Sequence, residues 1–205
     1  MLKTSLSIIV PLSPHQDQWR GLLKDLQKLP KSVEIIFSLP REMQGRSELL
    51  HHVSLMKNLR VVFSESGWAK QLNTGARAAT KDFLWFVSAE SRFSRFAFRR
   101  LQKSITKNPK ALHYFNLWYG FQEIPLKLFH MIGVWFRSHL FRTPFEDQGF
   151  CLSRENFKRL GGFREEAPLQ REQVFIRRVR QSKIPVQCTH ALIRTNSRSP
   201  LPKFI

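Results

Sequence analysis

The stretch GWAKQLNTGARAATKDFLWFVSAES, Gly67 to Ser91, carries a helix, a turn, a strand and a polar strand end in one run. Ala69, Leu72, Ala76 and Ala79 recur at spacings of three and four, which predicts a helix with a narrow, mostly small apolar face. Small side chains on that face let a helix lie close against a sheet. Phe83 to Val87 is apolar without alternation, the pattern of a strand covered on both sides, as in a mostly parallel sheet. Ligands of such sheets gather just beyond the carboxyl ends of the strands. Ser88, Ala89 and Glu90 follow the strand at once, so the candidate site is placed there.

Working upstream, Thr4 to Val10 reads as a first strand ended by Pro11. Trp19, Leu22, Leu23, Leu26 and Leu29 mark a helix closed by Pro30, and Val33 to Phe37 a second strand followed by Ser38-Leu39-Pro40. A polar helix around Arg46 to Met56 leads to a third strand, Leu59 to Phe63. Downstream, Phe93, Phe96, Phe98, Leu101 and Ile105 predict one helix, and Ala111 to Phe121 an aromatic strand. Ile124 to Phe141 is apolar around most of its circumference, with Lys127, His130, Arg137 and Arg142 interspersed. It reads as a buried helix, with an interfacial helix pressed into a bilayer as the competing reading. Phe150 to Leu152 reads as a strand, and a helix from Ser153 or Arg154 stops at Gly161-Gly162. Gln173 to Arg180 is a further helix and Val186 to Ile193 a last strand, with a polar tail from Arg194. Short strands alternating with helices predict an α/β fold, a three-layer α/β/α sandwich around a mostly parallel mixed sheet.

The 205 residues, 42% hydrophobic and 12% aromatic, suit one globular domain with a real core, residues 1–205, and exclude a disordered chain. The net charge of +19, from 34 Lys and Arg against 15 Asp and Glu, favours polyanionic partners: nucleic acid, anionic lipid headgroups or phosphorylated substrates. A basic soluble enzyme is the plainer alternative. Cys151 and Cys188 sit in apolar strand-like runs and read as reduced core residues. Leu6 to Val10 is too short for a signal-peptide core and no apolar run reaches transmembrane length, so the expectation is a cytoplasmic protein, soluble or peripheral to the inner membrane face.

No Gly-rich phosphate loop follows the first strand, and the cysteines and histidines lack zinc spacing; His51-His52 reads as a solvated pair. What remains is acidic: Glu90, Glu146-Asp147, Glu165, Glu166 and Glu172. A carboxylate at a sheet edge can hold a divalent metal against a diphosphate leaving group, or take a proton. A solvated surface acid is the alternative for each.

The order of these motifs resembles the family 2 glycosyltransferases, and within them the radical-SAM/selenodomain-associated transferases. The resemblance rests on an opening strand ending in Pro, then Gly67, Ala69, Asn73 and Gly75, then the apolar strand, then Asp147, Gln148 and Gly149, then Gly161, Gly162 and Phe163. It implies the nucleotide-diphospho-sugar transferase fold of GT-A type, Rossmann-like, with residues 1–91 as the nucleotide-sugar half, 92–193 as the acceptor side and 194–205 as a tail. Ser88-Ala89-Glu90 matches the family's metal- and diphosphate-binding His-Ala-Asp, and Arg171-Glu172 its Glu-Asp pair. Ser38-Leu39-Pro40 stands where an acidic nucleotide-contacting turn is usual, and Pro14-His15 where Asn-Glu is usual.

The resemblance therefore implies Glu172 as catalytic base. Glu90, Ser88, Lys70 and Asn73 would bind the donor, Glu90 would ligate a metal, and Asp147, Gln148 and Gly149 would line the acceptor or sugar pocket. Manganese or magnesium is the implied cofactor, dispensable if Lys70 or Arg77 carries the diphosphate instead. The implied partners are a nucleotide-sugar donor and an acceptor, lipid-linked if the basic residues face a membrane surface. Nucleic acid is disfavoured, because the aromatics fall at core positions and no known nucleic-acid motif is present. The alternative from a different class is a non-catalytic scaffold of the same fold that binds an anionic partner.

Overall fold

The computed structural model describes residues 5–14, 18–43, 51, 54–119, 144, 146–165 and 171–195. Eight strands form one sheet: β1 (Leu6–Pro11), β2 (Glu34–Pro40), β3 (Leu59–Ser64), β4 (Phe83–Phe86), β5 (Ser91–Phe93), β6 (Leu112–Tyr119), β7 (Cys151–Ser153) and β8 (Val186–Thr195). Their order across the sheet is β3-β2-β1-β4-β7-β6-β8-β5. β1 pairs in parallel with β2 and β4, β2 with β3, and β6 with β8, while β7 runs antiparallel to β4 and β6, and β5 to β8. The mixed, largely parallel sheet expected from the sequence is what forms.

The helices are α1 (Trp19–Leu26), α2 (Trp68–Ala78), α3 (Arg95–Lys107), α4 (Arg154–Arg159) and α5 (Arg171–Gln181). Strand side chains alternate between two cores. Ile8, Val10, Ile35, Phe37, Trp85, Val87 and Phe115 join α1 and α3 on one face. Ile9, Ile36, Leu84, Phe86 and Leu152 join α2, α4 and α5 on the other. The unbroken apolar run of β4 is thus explained: Leu84 and Phe86 serve one core, Trp85 and Val87 the other.

The small face of α2 is buried, and its closest approach to the sheet is Gly75. A Cβ there would stand 2.5 Å from Cγ2 of Ile9 in β1. Gly75→Ala is therefore expected to lower stability by about 1–2 kcal/mol, because the overpacking cost exceeds the helix-propensity gain of Ala. A fall in the thermal unfolding midpoint is the readout.

Two expectations need correction. Phe93 and Phe96 do not belong to one apolar helix face. Phe93 ends β5, buried with its ring 4.8 Å from that of Trp85, while Phe96 is 58% exposed. The cause is local: the Ser94 hydroxyl accepts from the Ala97 N–H, which caps α3 and starts it at Arg95. Ser38-Leu39-Pro40 is not a turn but the end of β2, with Leu39 opposite Phe63 and Pro40 opposite Ser64. The Gly161-Gly162 stop is found as read. The Gly162 N–H donates to the Phe157 carbonyl and that of Gly161 to Lys158, a Schellman closure with φ of +73° at Gly161. Cys151 and Cys188 are buried thiols. The segment Ile124 to Phe141 and most of the helix read around Arg46 to Met56 lie outside the described residues.

His113 is fully buried in β6. Its Nδ1 lies 2.9 Å from the Ser104 hydroxyl and its Nε2 lies 3.1 Å from the Asn108 carbonyl. Burial pushes its pKa from 6.5 down to about 4, against a smaller upward pull from the Asn108 carbonyl. The folded chain thus holds a neutral ring that the unfolded chain protonates first, so stability is lost as pH falls from 6.5 towards about 4. The loss approaches about 3 kcal/mol, and His113→Gln is expected to flatten that part of a denaturation-versus-pH profile.

Candidate functional site

The β1–β4 ladder runs on past β4, with the Val87 N–H donating to the Ile9 carbonyl at 3.0 Å. The chain then turns: the Ser91 N–H donates to the Ser88 carbonyl at 3.0 Å, and the Ser88 hydroxyl accepts from the Glu90 N–H at 3.4 Å. Ala89 is buried beneath this turn. Ser88 and Glu90 therefore stand where the sequence placed them, at the carboxyl edge of the sheet.

The turn is held from behind by residues that the sequence reading did not single out. Arg92, two residues past Glu90, clasps the buried Asp25 of α1 through Nε at 2.6 Å and Nη2 at 3.2 Å, while the Phe93 N–H and Lys28 Nζ donate to the same carboxylate. Burial alone would raise the Asp25 carboxyl. The hydrogen bonds from Arg92 and Lys28, the Arg92 charge and the Phe93 N–H outweigh it and hold the pKa below the usual range. The signal available was an acid on the inner side of α1 with Lys28 three residues on.

The second part of the site arrives from the antiparallel strand β7. The Phe86 N–H donates to the Phe150 carbonyl at 2.8 Å, so the chain that enters β7 from the 3-10 turn Glu146–Gln148 comes in past the end of β4. Gln148 is buried and donates through Nε2 to the Phe115 carbonyl at 2.9 Å, so its amide pins this turn to β6. Gly149 has φ of +65°, and a Cβ there would lie 3.0 Å from Trp85 Nε1; only Gly permits both the left-handed backbone and the close approach. Asp147, half-buried, lies in the same 3-10 turn.

Lys70 and Asn73 are engaged elsewhere. Lys70 Nζ lies 2.5 Å from Glu65, on the loop after β3, and holds that carboxyl below its ordinary range. Asn73 is buried: its Nδ2 donates to the Phe163 carbonyl at 2.8 Å and to Glu165 at 2.9 Å, and its Oδ1 accepts from the Phe163 N–H at 2.9 Å. These bonds tie α2 to the loop after Gly162. Gln71 supplies the polar contact at the sheet edge instead, with its buried Nε2 donating to the Leu12 carbonyl at 2.6 Å and the Ser38 carbonyl at 2.8 Å. It cross-links the ends of β1 and β2, where a ligand at this edge would lie. Its signal was an amide side chain close to Ala69, Leu72, Gly75 and Ala76 on α2. The side chain of Glu172, in the first turn of α5, lies outside the described residues.

A cavity of about 1000 Å3 lies between α2 and α4, floored by Phe83 and closed by Gly161 to Glu165. Its lining includes Asp82 and Phe83 at the amino end of β4, Arg77 at the carboxyl end of α2 and Arg154 at the amino end of α4. Asn73, Arg77 and Glu165 line it, but Ser88, Glu90, Asp147 and Gln148 do not, so it is not the Ser88–Glu90 site.

Among the described residues no three His, Cys, Asp or Glu side chains come together as a metal cage. The carboxylate at the turn is Glu90. Magnesium and manganese ions bound through one or two carboxylates and substrate phosphates match such a donor set, so Glu90 fits an ion brought in with a diphosphate, not a resident one. Also among the described residues, no helix is long and apolar enough to cross a membrane.

No family model and no curated protein matches the sequence. Solved structures do. A mannosyltransferase from Pyrobaculum calidifontis, in complex with GDP-mannose and Mn2+, superposes with a TM-score of 0.73 at 15% identity over 99% of this chain and 59% of its own. TarS of S. aureus (residues 1–349) with UDP-GlcNAc gives 0.73 at 16% identity over 98% and 62%. The same TarS fragment crystallised without a named ligand gives 0.71 at 17% over 94% and 60%. This chain spans about three-fifths of the length of these proteins. The fold is the nucleotide-sugar transferase fold of GT-A type.

Proposed function

We propose that the protein is a glycosyltransferase that moves a sugar from a nucleotide-sugar donor to an acceptor hydroxyl with inversion. The observation that supports this reading is the Ser88–Ser91 turn at the carboxyl end of β4 in a sheet of GT-A type, with the Glu146–Gln148 turn leading into the neighbouring strand β7. The donor diphosphate would lie against Glu90 and Ser88, over the β1 and β2 ends that Gln71 joins. A divalent ion accompanying the donor would supply charge neutralisation for the leaving diphosphate. Asp147 would bind a sugar or acceptor hydroxyl, on a turn that Gln148 and Gly149 hold in place.

Glu172 is the assigned base. The acceptor oxygen attacks the anomeric carbon, the bond from that carbon to the donor phosphate oxygen breaks, the nucleoside diphosphate leaves, and the acceptor proton passes to the Glu172 carboxylate. A single displacement of this kind inverts the anomeric centre. Glu172→Gln is expected to lower kcat by about a hundred- to ten-thousandfold with little change in donor KM, measured as nucleoside diphosphate release. Unchanged turnover in that variant removes Glu172 from the mechanism.

The acceptor is proposed to be lipid-linked and the protein to work in the cytoplasm at the inner membrane face. The second reading, a non-catalytic scaffold of the same fold, draws on the engagement of Lys70 with Glu65 and of Asn73 with Phe163, which leaves fewer groups for a diphosphate. Binding of a nucleotide sugar without turnover under any acceptor is the outcome that favours it.

A further inference from the structure

α1 and α3 cover one face of the sheet and carry no exposed acidic residue. Outward from the core, α3 presents Phe96, Arg99, Lys103 and Lys107 at spacings of three, four and four, all exposed, and the helix contains no acidic residue. Beside it α1 presents Arg20, Lys24 and, just past its end, Lys28 at spacings of four, also exposed. The two helices are tied together, since Arg95 Nε donates to the Lys28 carbonyl at 3.1 Å. The one acid on either helix is Asp25, buried and already bound to Arg92 and Lys28. Each of the two helices thus turns a row of cations to solvent, with no exposed acid on either. On the opposite face, α4 carries Glu155 among its basic residues.

Phe96 gives this surface its direction. It is 58% exposed at the start of α3, among few large apolar side chains so exposed in the described residues, and stands in the same row as the cations. An exposed Phe in a cationic row can enter the acyl boundary while the cations meet anionic headgroups. A single-stranded nucleic acid needs several exposed rings on which bases stack. Here the other aromatics near this face are inside: Trp19, Phe93 and Phe98 are all buried.

We propose that the outward face of α1 and α3 docks on an anionic lipid bilayer, with Phe96 as its apolar anchor. Phe96 lies six residues after Glu90, a chain span of at most about 20 Å, so docking sets the Glu90 edge close to the bilayer surface. The partner is thereby specified for the lipid-linked acceptor proposed above, while binding itself does not require that transfer occurs.

The test is co-sedimentation of the full chain with vesicles of phosphatidylcholine alone and of phosphatidylcholine mixed with phosphatidylglycerol. Binding is expected only to the mixed vesicles, and to weaken with added salt. Phe96→Ser is expected to weaken it about tenfold, and the combined Lys24→Glu, Arg99→Glu and Lys103→Glu variant about a hundredfold or more. Arg159→Glu, Arg177→Glu and Arg180→Glu together, on the other face, remove the same net charge and are expected to retain most of the binding. All these side chains are exposed, and circular dichroism confirms that each variant is folded before it is compared. Equal loss in the two triple variants means that bulk charge and not this face binds, and overturns the proposal. So does equal binding to neutral vesicles, or retention of a single-stranded RNA by a protein that ignores both vesicle types.

Discussion

Glu90→Gln is expected to lower sugar transfer by about a hundredfold or more. The replacement keeps the shape of the side chain and removes its charge. The Ser88–Ser91 turn is built from backbone groups and the Ser88 hydroxyl, none of which the substitution touches. Under the proposed function the loss in transfer falls on the diphosphate. Removing one fixed electrostatic partner of a developing charge typically costs a hundred- to a thousandfold in turnover. Under the proposed chemistry the effect appears in kcat and in the manganese dependence together, because the same carboxylate would hold the ion. Initial-rate assays across a manganese series measure both. Full activity in Glu90→Gln removes Glu90 from the diphosphate site; Arg77, at the far end of α2, lines the other cavity and does not replace it.

The second large effect is structural. Asn73→Ala is expected to destabilise the protein by about 4 kcal/mol, because it strands the N–H and carbonyl of the buried Phe163 as well as removing the amide. The consequence extends beyond three hydrogen bonds. The Phe163 ring packs 4.5 Å from Phe175, 5.0 Å from Phe86 and 4.8 Å from Trp68, so Asn73 holds in register a loop whose aromatic residue joins β4, α2 and α5. Gly162 belongs to the same unit: its φ is +68° and a Cβ would lie 2.7 Å from Asn73 Oδ1. A fall in the unfolding midpoint of roughly 10 °C follows for a chain of this size. Asn73→Asp keeps the acceptor for the Phe163 N–H but loses the donor and adds a charge beside Glu165, and is expected to fall between the two. If Asn73→Ala instead unfolds normally but loses donor binding, Asn73 is a ligand residue as the sequence suggested.

These two residues show where a sequence is readable and where it is not. The fold was legible because it is written in spacing. The Ala69-Leu72-Ala76 face, the unbroken Phe83 to Val87 run and the Gly161-Gly162 stop each have one good structural solution, and the sheet contains them all. Glu90 was legible because its position follows from the strand that precedes it. The role of Asn73 was not, since its partner stands 90 residues away and a buried amide has the same letter as a ligand amide. Asp25 and Gln71 were missed for the same reason: each acts across the sheet edge, on backbone groups brought there only by folding. The Phe96 correction is of another kind. Aromatic spacing suggested one continuous helix face, but the Ser94 cap started α3 two residues after Phe93, leaving Phe93 inside and Phe96 outside.

The central claim, a nucleotide-sugar site at the Glu90 edge of a GT-A sheet, is tested most directly by calorimetric titration of UDP- and GDP-sugars into the protein, with and without manganese. Saturable binding of at least one donor is predicted, strengthened by manganese and weakened in Glu90→Gln. Absence of binding by every donor in both conditions, in protein whose folding is verified in the same sample, would contradict it.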